Sequence, residues 1–139
     1  MNNQELAKRV HSAMASQCHA RGYASPVDVL MDVGVLSKAN YENWRRGQVD
    51  YLERVCTANL SKLSFIMHEI RSYATKNNLK PSLTVYKQGG TKQKRILRFC
   101  KSGSPAIEKA YATHRIDSKR IAQLKEQRTQ EKANNEEMQ

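Results

Sequence analysis

The run YKQGGTKQKRILRF, Tyr86 to Phe99, holds five lysines and arginines, two adjacent glycines, two aromatics and no acid. Cations gathered on a short Gly-containing segment point to polyanion contact, in which Lys and Arg replace the counterions around phosphates. Three devices could use them. A phosphate loop of the nucleotide-hydrolase type needs the spacing GxxxxGK with a helix behind it. Here QGGTK sets Lys92 after Thr91 and an extended run follows, so that device is excluded. The second is a basic hairpin that clamps a nucleic-acid backbone, with Lys92, Lys94, Arg95 and Arg98 neutralising phosphates. The third uses the same ribbon with Tyr86 exposed, so that the ring stacks on unpaired bases. A plain solvated hairpin also carries lysines, which discourage edge-to-edge pairing. Residues 81–104, however, carry six basic groups and no acid, more than half of the net charge of +11. That excess is larger than solubility requires.

A second candidate lies in SPVDVLMDVGVLSKANYENWRRG, residues 25–47. Ser25 and Ser37 are suited to cap two short helices, Pro26 fits a first helical position, and Gly34 and Gly47 end them. Two capped helices joined through a Gly turn have the layout of a helix-turn-helix, whose second helix can enter the DNA major groove. On that helix Tyr41 and Trp44 face inward as packing residues, while Lys38, Glu42 and Arg46 face outward and Ala39 and Asn43 flank them. Lys38 and Arg46 suit phosphates or guanine edges and Asn43 suits adenine, whereas Glu42 opposes the approach of DNA. The same pattern also serves ordinary helix packing.

Other chemistry is sparse. Cys18 beside His19, and His68 twelve residues after Cys56, match no zinc-ligand spacing, and His114 reads as a packing or capping residue. The carboxylates are scattered, so no nucleophile and base pair can be nominated and no enzyme, metal or cofactor is expected. Three separated cysteines in a chain without an export signal read as reduced thiols. No apolar run approaches the roughly 20 residues that span a bilayer, and a cytoplasmic location is expected, with no membrane partner.

The elements that would position these groups follow from periodicity and caps. Leu6, Val10, Ala13, Met14 and Cys18 mark one face of a helix over residues 3–21, ended by Gly22. After the two short helices, Asp50 and Glu53 read as a capping box for a long helix. Leu52, Val55, Cys56, Leu60, Leu63, Ile66, Met67, Ile70 and Ala74 form its apolar stripe up to about residue 77, with a second cap available near 57–59. SLTVYK and ILRFCK then read as the two strands of a hairpin over about 82–102. Leu83, Val85, Leu97 and Phe99 would lie on its inner face, and Thr84, Tyr86, Lys94, Ile96 and Arg98 on its outer face. Ser104 and Pro105 restart a helix, and residues 117–139 are a charged, solvated helix or tail.

Residues 25–114, through the runs SPVDVLMDVGVLSKANYENWRRGQVDYLERVCTANLSKLSFIMHEIRSYATKNNLKPS and LRFCKSGSPAIEKAYATH, resemble a group of short, uncharacterised bacterial proteins with a helix-turn-helix-like N-terminal half. The resemblance implies a bacterial, cytoplasmic protein in which helices and hairpin form one unit. A serine more often stands at the position of Cys100 in that group, which argues against a metal there. The resemblance assigns no activity to any residue.

The expectation is thus a mainly α fold with one β-hairpin (α+β), in a single domain over residues 1–116 with winged-helix-turn-helix character. Function is expected to be non-enzymatic nucleic-acid binding, with DNA ahead of RNA, as in a small regulator. The site would be Lys38, Asn43, Arg46, Tyr86, Lys92, Lys94, Arg95 and Arg98. The alternative is an adaptor or inhibitor whose basic face meets an acidic protein.

Overall fold

Asn2 opens the first helix, α1 (Asn3–Arg21), by accepting the Glu5 amide at 2.9 Å. Gly22, at φ 84°, closes it through its amide to the Cys18 carbonyl. The computed structural model describes residues 1–90, 92 and 94–137. Thr91, in the run tested above as a phosphate loop, Gln93, in the expected hairpin, and residues 138–139 of the tail lie outside that range. Strand β1 (Tyr23–Ala24) follows, then α2 (Pro26–Asp32) and α3 (Lys38–Arg45). Ser25 and Ser37 cap the two short helices by accepting the Asp28 and Asn40 amides. The apolar face of α1 packs on α4 (Leu60–Lys76), where Leu63, Ile66, Met67, Ile70 and Ala74 are buried.

The long fourth helix is divided. Leu52–Val55 forms one turn of 3-10 helix, and Asn59 caps α4 anew by accepting the Lys62 amide at 2.9 Å. The turn is held from outside, because the Leu52 and Glu53 amides donate to the carbonyls of Arg98 and Phe99. An external acceptor within reach offsets the loss of helical bonds at the break.

The β structure differs from the expected two-stranded hairpin. Strand β2 (Lys80–Leu83) pairs antiparallel with β3 (Thr113–Ile116), which directly follows α5 (Pro105–Ala112), and β3 also pairs with β1. The sheet order is β1-β3-β2. Among the described residues between 84 and 100, a single bridge, Lys87 with Ile96, joins the two runs. The inward and outward phases of the first run are also reversed. Leu83 and Val85 are 60% and 59% exposed, while Thr84 donates its hydroxyl to the Ala112 carbonyl and Tyr86 turns inward. A shift of one residue in an extended segment exchanges its two faces. The bonds that Ala112 and the Trp44–Phe99 cluster offer to Thr84 and Tyr86 outweigh the burial of two aliphatic side chains here. Leu97 and Phe99 are buried as the pattern implied.

Trp44 anchors the core. It is fully buried, its indole N–H donates to the Arg98 carbonyl at 2.7 Å, and its ring lies 5.2 Å from Phe99 and 5.5 Å from Tyr86. Phe99 stacks in turn on Tyr111, whose hydroxyl donates to Glu53 at 2.6 Å. Glu108 of α5 accepts the Phe99 and Cys100 amides, so the second basic run is held by a helix rather than by a partner strand. Last, α6 (Ser118–Glu137) buries no residue but is tied at its start. The Asp117 amide donates to the Gly22 carbonyl and Arg120 donates to the His19 carbonyl. No helix among the described residues is long and apolar enough to cross a membrane.

Candidate nucleic-acid interface

The C-terminal end of α3 is where the basic segment docks. The last carbonyls of a helix lack intrahelical donors and attract them from elsewhere. Gly89 donates its amide to the Arg45 carbonyl at 2.8 Å, Gln88 donates its side-chain amide to the Arg46 carbonyl at 3.0 Å, and Arg95 reaches the Gly47 carbonyl at 3.4 Å. Gly47 sits at φ 79°, and a Cβ there would press on the Gln88 side chain. Its lack of a side chain therefore serves both the end of α3 and the approach of the loop. The bridge at Lys87 and Ile96, with Gln88 N–H donating to the Arg95 carbonyl, keeps the loop narrow.

This docking joins the two regions that the sequence suggested separately. Glu42, Arg45, Arg46, Gly89 and Gly90 line one shallow hollow, while Arg95, Arg98 and Lys101 line a second beside Asp50. Arg46, Lys92, Lys94, Arg95 and Lys101 are exposed. Asp50 is already paired with Arg54 at 2.8 Å, which reduces its opposition to an anion. Arg45 and Lys101 were not among the nominated residues. Arg45 follows the buried Trp44 on α3, beside Arg46, and Lys101 is the last residue of the run ILRFCK read as the second strand.

The remaining nominated residues are placed less favourably. Lys38 is exposed at the start of α3, roughly 10 Å along the helix from Arg45. Asn43 is half-buried, about 140° around the helix from Lys38, so the two do not share a face. Arg98 is exposed, but one terminal nitrogen donates to the carbonyls of Cys100 at 3.3 Å and Lys101 at 2.7 Å, shaping the turn after the strand-like run.

Tyr86 departs furthest from expectation. Instead of standing free beside the cations, it packs among Trp44, Phe99 and His114, and its hydroxyl lies 3.1 Å from His114 Nε2. Burial pushes its phenol up to about 12, and Arg45 lies over its ring at 5.3 Å. A neutral phenol under a guanidinium braces Arg45 at the surface and is not itself a platform for a base. His114 is held below its usual value, first by burial and then by the nearby Arg21.

Burial pushes the Cys18 thiol up to about 11 and the Cys56 thiol up to about 12, which disfavours their thiolate forms. Among the described residues no group of three His, Cys, Asp or Glu side chains is placed to hold a metal ion. Comparison with protein-family models, with curated proteins and with solved structures returns no match.

Proposed function

We propose that the chain binds nucleic acid through the basic surface formed by the C-terminal end of α3 and the 87–101 segment, without catalysing a reaction. The observation that carries this reading is the docking of the loop on α3. Three hydrogen bonds to the carbonyls of Arg45, Arg46 and Gly47 set Arg45 and Arg46 beside the acid-free loop. A cation-rich surface on a rigid frame suits phosphate contacts that fix a bound strand in one orientation.

Duplex DNA is the first expected ligand, and a small cytoplasmic regulator is the corresponding role. The succession of α2, turn and α3, with a basic loop beside α3, supports a helix-turn-helix with wing-like clamping, in which Lys38 and Arg46 approach the groove and Asn43 contributes from its edge. The alternatives are RNA held on the same surface and an acidic protein.

Competition separates these ligands. A labelled duplex bound at low salt should be displaced by unlabelled duplex at far lower concentration than by polyglutamate of equal charge. Preference for a structured RNA would transfer the reading to RNA. Displacement by polyglutamate at equal charge concentration, or no binding to any nucleic acid at about 50 mM salt, would overturn it in favour of an acidic partner.

A further inference from the structure

Arg45 also lines a second hollow, on the other side from the docked loop's glycines. A polar cleft of about 400 Å³ lies between the end of α1, the start of α2, α3 and the 84–86 segment. Several of its wall groups are already engaged. Arg21 donates to the Tyr23 carbonyl, to Gln17 and, at 2.7 Å, to Asp28 Oδ2, and its guanidinium lies 4.1 Å over the Tyr23 ring. His114 stacks on that same ring at 5.4 Å and faces the Tyr86 hydroxyl.

Among the polar groups that line the cleft, the Arg45 guanidinium, Asp28 Oδ1 and the Tyr23 and Tyr41 hydroxyls make no hydrogen bond to the described residues. Arg45 and Asp28 both lie within electrostatic reach of the Tyr41 and Tyr86 hydroxyls. A ligand that satisfies them must accept from a guanidinium and donate to a carboxylate. A backbone phosphodiester only accepts, and it would set its own charge against Asp28. A nucleobase edge does both, and guanine presents two adjacent N–H donors together with the O6 and N7 acceptors that Arg addresses. The half-buried Tyr41 ring supplies a face for stacking, and the cleft is ample for one base. The exposed Val85 stands at the cleft and leads directly into the basic loop.

We propose that this cleft receives one unpaired guanine base, presented by the nucleic acid held on the adjoining basic surface. The proposal rests on the nucleic-acid reading for the presentation of the base, but the cleft can be tested without a strand. In an amide NMR titration to about 10 mM mononucleotide, GMP should shift Asp28, Tyr41, Arg45, Val85 and His114. AMP, CMP and UMP should bind at least about fivefold more weakly. Asp28→Asn replaces the carboxylate by a neutral amide with one acceptor oxygen and an opposing NH2 donor, so the paired guanine donors lose their match and GMP affinity should fall about tenfold. That variant also alters the pair with Arg21, so Val85→Trp, at an exposed position, provides an independent block that should abolish the shifts with the unfolding temperature unchanged.

Equal shifts with all four nucleotides, shifts outside the cleft only, or a Val85→Trp chain that still binds GMP would overturn the guanine site. A chain that binds GMP in the cleft but no oligonucleotide overturns the proposed function and leaves the guanine site standing. One that binds oligonucleotides but not GMP does the reverse.

Discussion

Removing the loop cations should change how binding responds to salt more than it changes the fold. Arg46, Lys92, Lys94, Arg95 and Lys101 are exposed, on the end of α3 and on the segment that docks there. If these five each neutralise one phosphate of a duplex, log affinity falls against log salt with a slope of about −4.5. Between about 50 and about 200 mM salt the affinity should then drop roughly 500-fold. In the triple variant Lys92→Ala, Lys94→Ala, Arg95→Ala about two contacts remain, the slope becomes roughly −1.8, and the loss over the same window is about tenfold. None of the three side chains is buried, and the one hydrogen bond lost among the described residues, from Arg95 to Gly47 O, is long at 3.4 Å, so stability should stay within about 0.5 kcal/mol. Fluorescence anisotropy of a labelled duplex across a salt series reads both slopes. The exposed α6 variant Lys119→Ala, Arg128→Ala, Lys132→Ala removes the same charge elsewhere and should leave the slope near its parent value. Parallel lines for the parent and the loop variant, or an equal flattening in the α6 variant, would refute a localised phosphate surface.

Trp44→Ala removes a fully buried indole and its bond to the Arg98 carbonyl, and should cost about 3–5 kcal/mol, visible as a fall in Tm of roughly 10–20 °C. A fall of only a few degrees would mean that Trp44 does not anchor the core. Gly22→Ala places a methyl against Ile121 Cγ1 at a left-handed backbone position, so the first turn of α6 should exchange its amide hydrogens faster while α4 does not; unchanged exchange would contradict the docking of α6. His114 is held below its ordinary value of 6.5 in the folded chain, so the unfolded chain takes up the proton more readily. Its contribution to stability is present above about pH 6.5 and declines as the pH falls through that value, and His114→Gln should flatten denaturant midpoints measured from pH 7.5 to 5. A slope that persists in the variant would move the cause to another group.

Local chemistry was legible where a residue acts through its own neighbours. Ser25 and Ser37 bond to amides three residues ahead, and Gly22, Gly34 and Gly47 take the left-handed conformations that end helices. The inward faces of α1 and α4 and the central place of Trp44 followed from 3.6-residue periodicity alone. The second cap near residue 59 was equally visible, but whether the chain used it depended on the Arg98 and Phe99 carbonyls, which lie about forty residues away.

The sheet and the site belong to the second kind. THRI is too short for its alternation to be read against the preceding helix, and its strand character comes from the edges that Tyr23–Ala24 and Lys80–Leu83 offer on either side. Alternation places Tyr86 outward because Leu83 and Val85 are more apolar, whereas the packed aromatics and His114 draw it inward. By composition the sequence determines a basic segment with a glycine tip, a set of capped helices and an apolar core. Only the tertiary structure decided that the tip would dock on the open carbonyls at the end of α3 and so gather Arg45 and Arg46 with the loop cations. Helix caps and faces are settled by contacts within a turn or two of chain, but the partner of an unpaired carbonyl or a strand edge is chosen among all that the folded chain brings near.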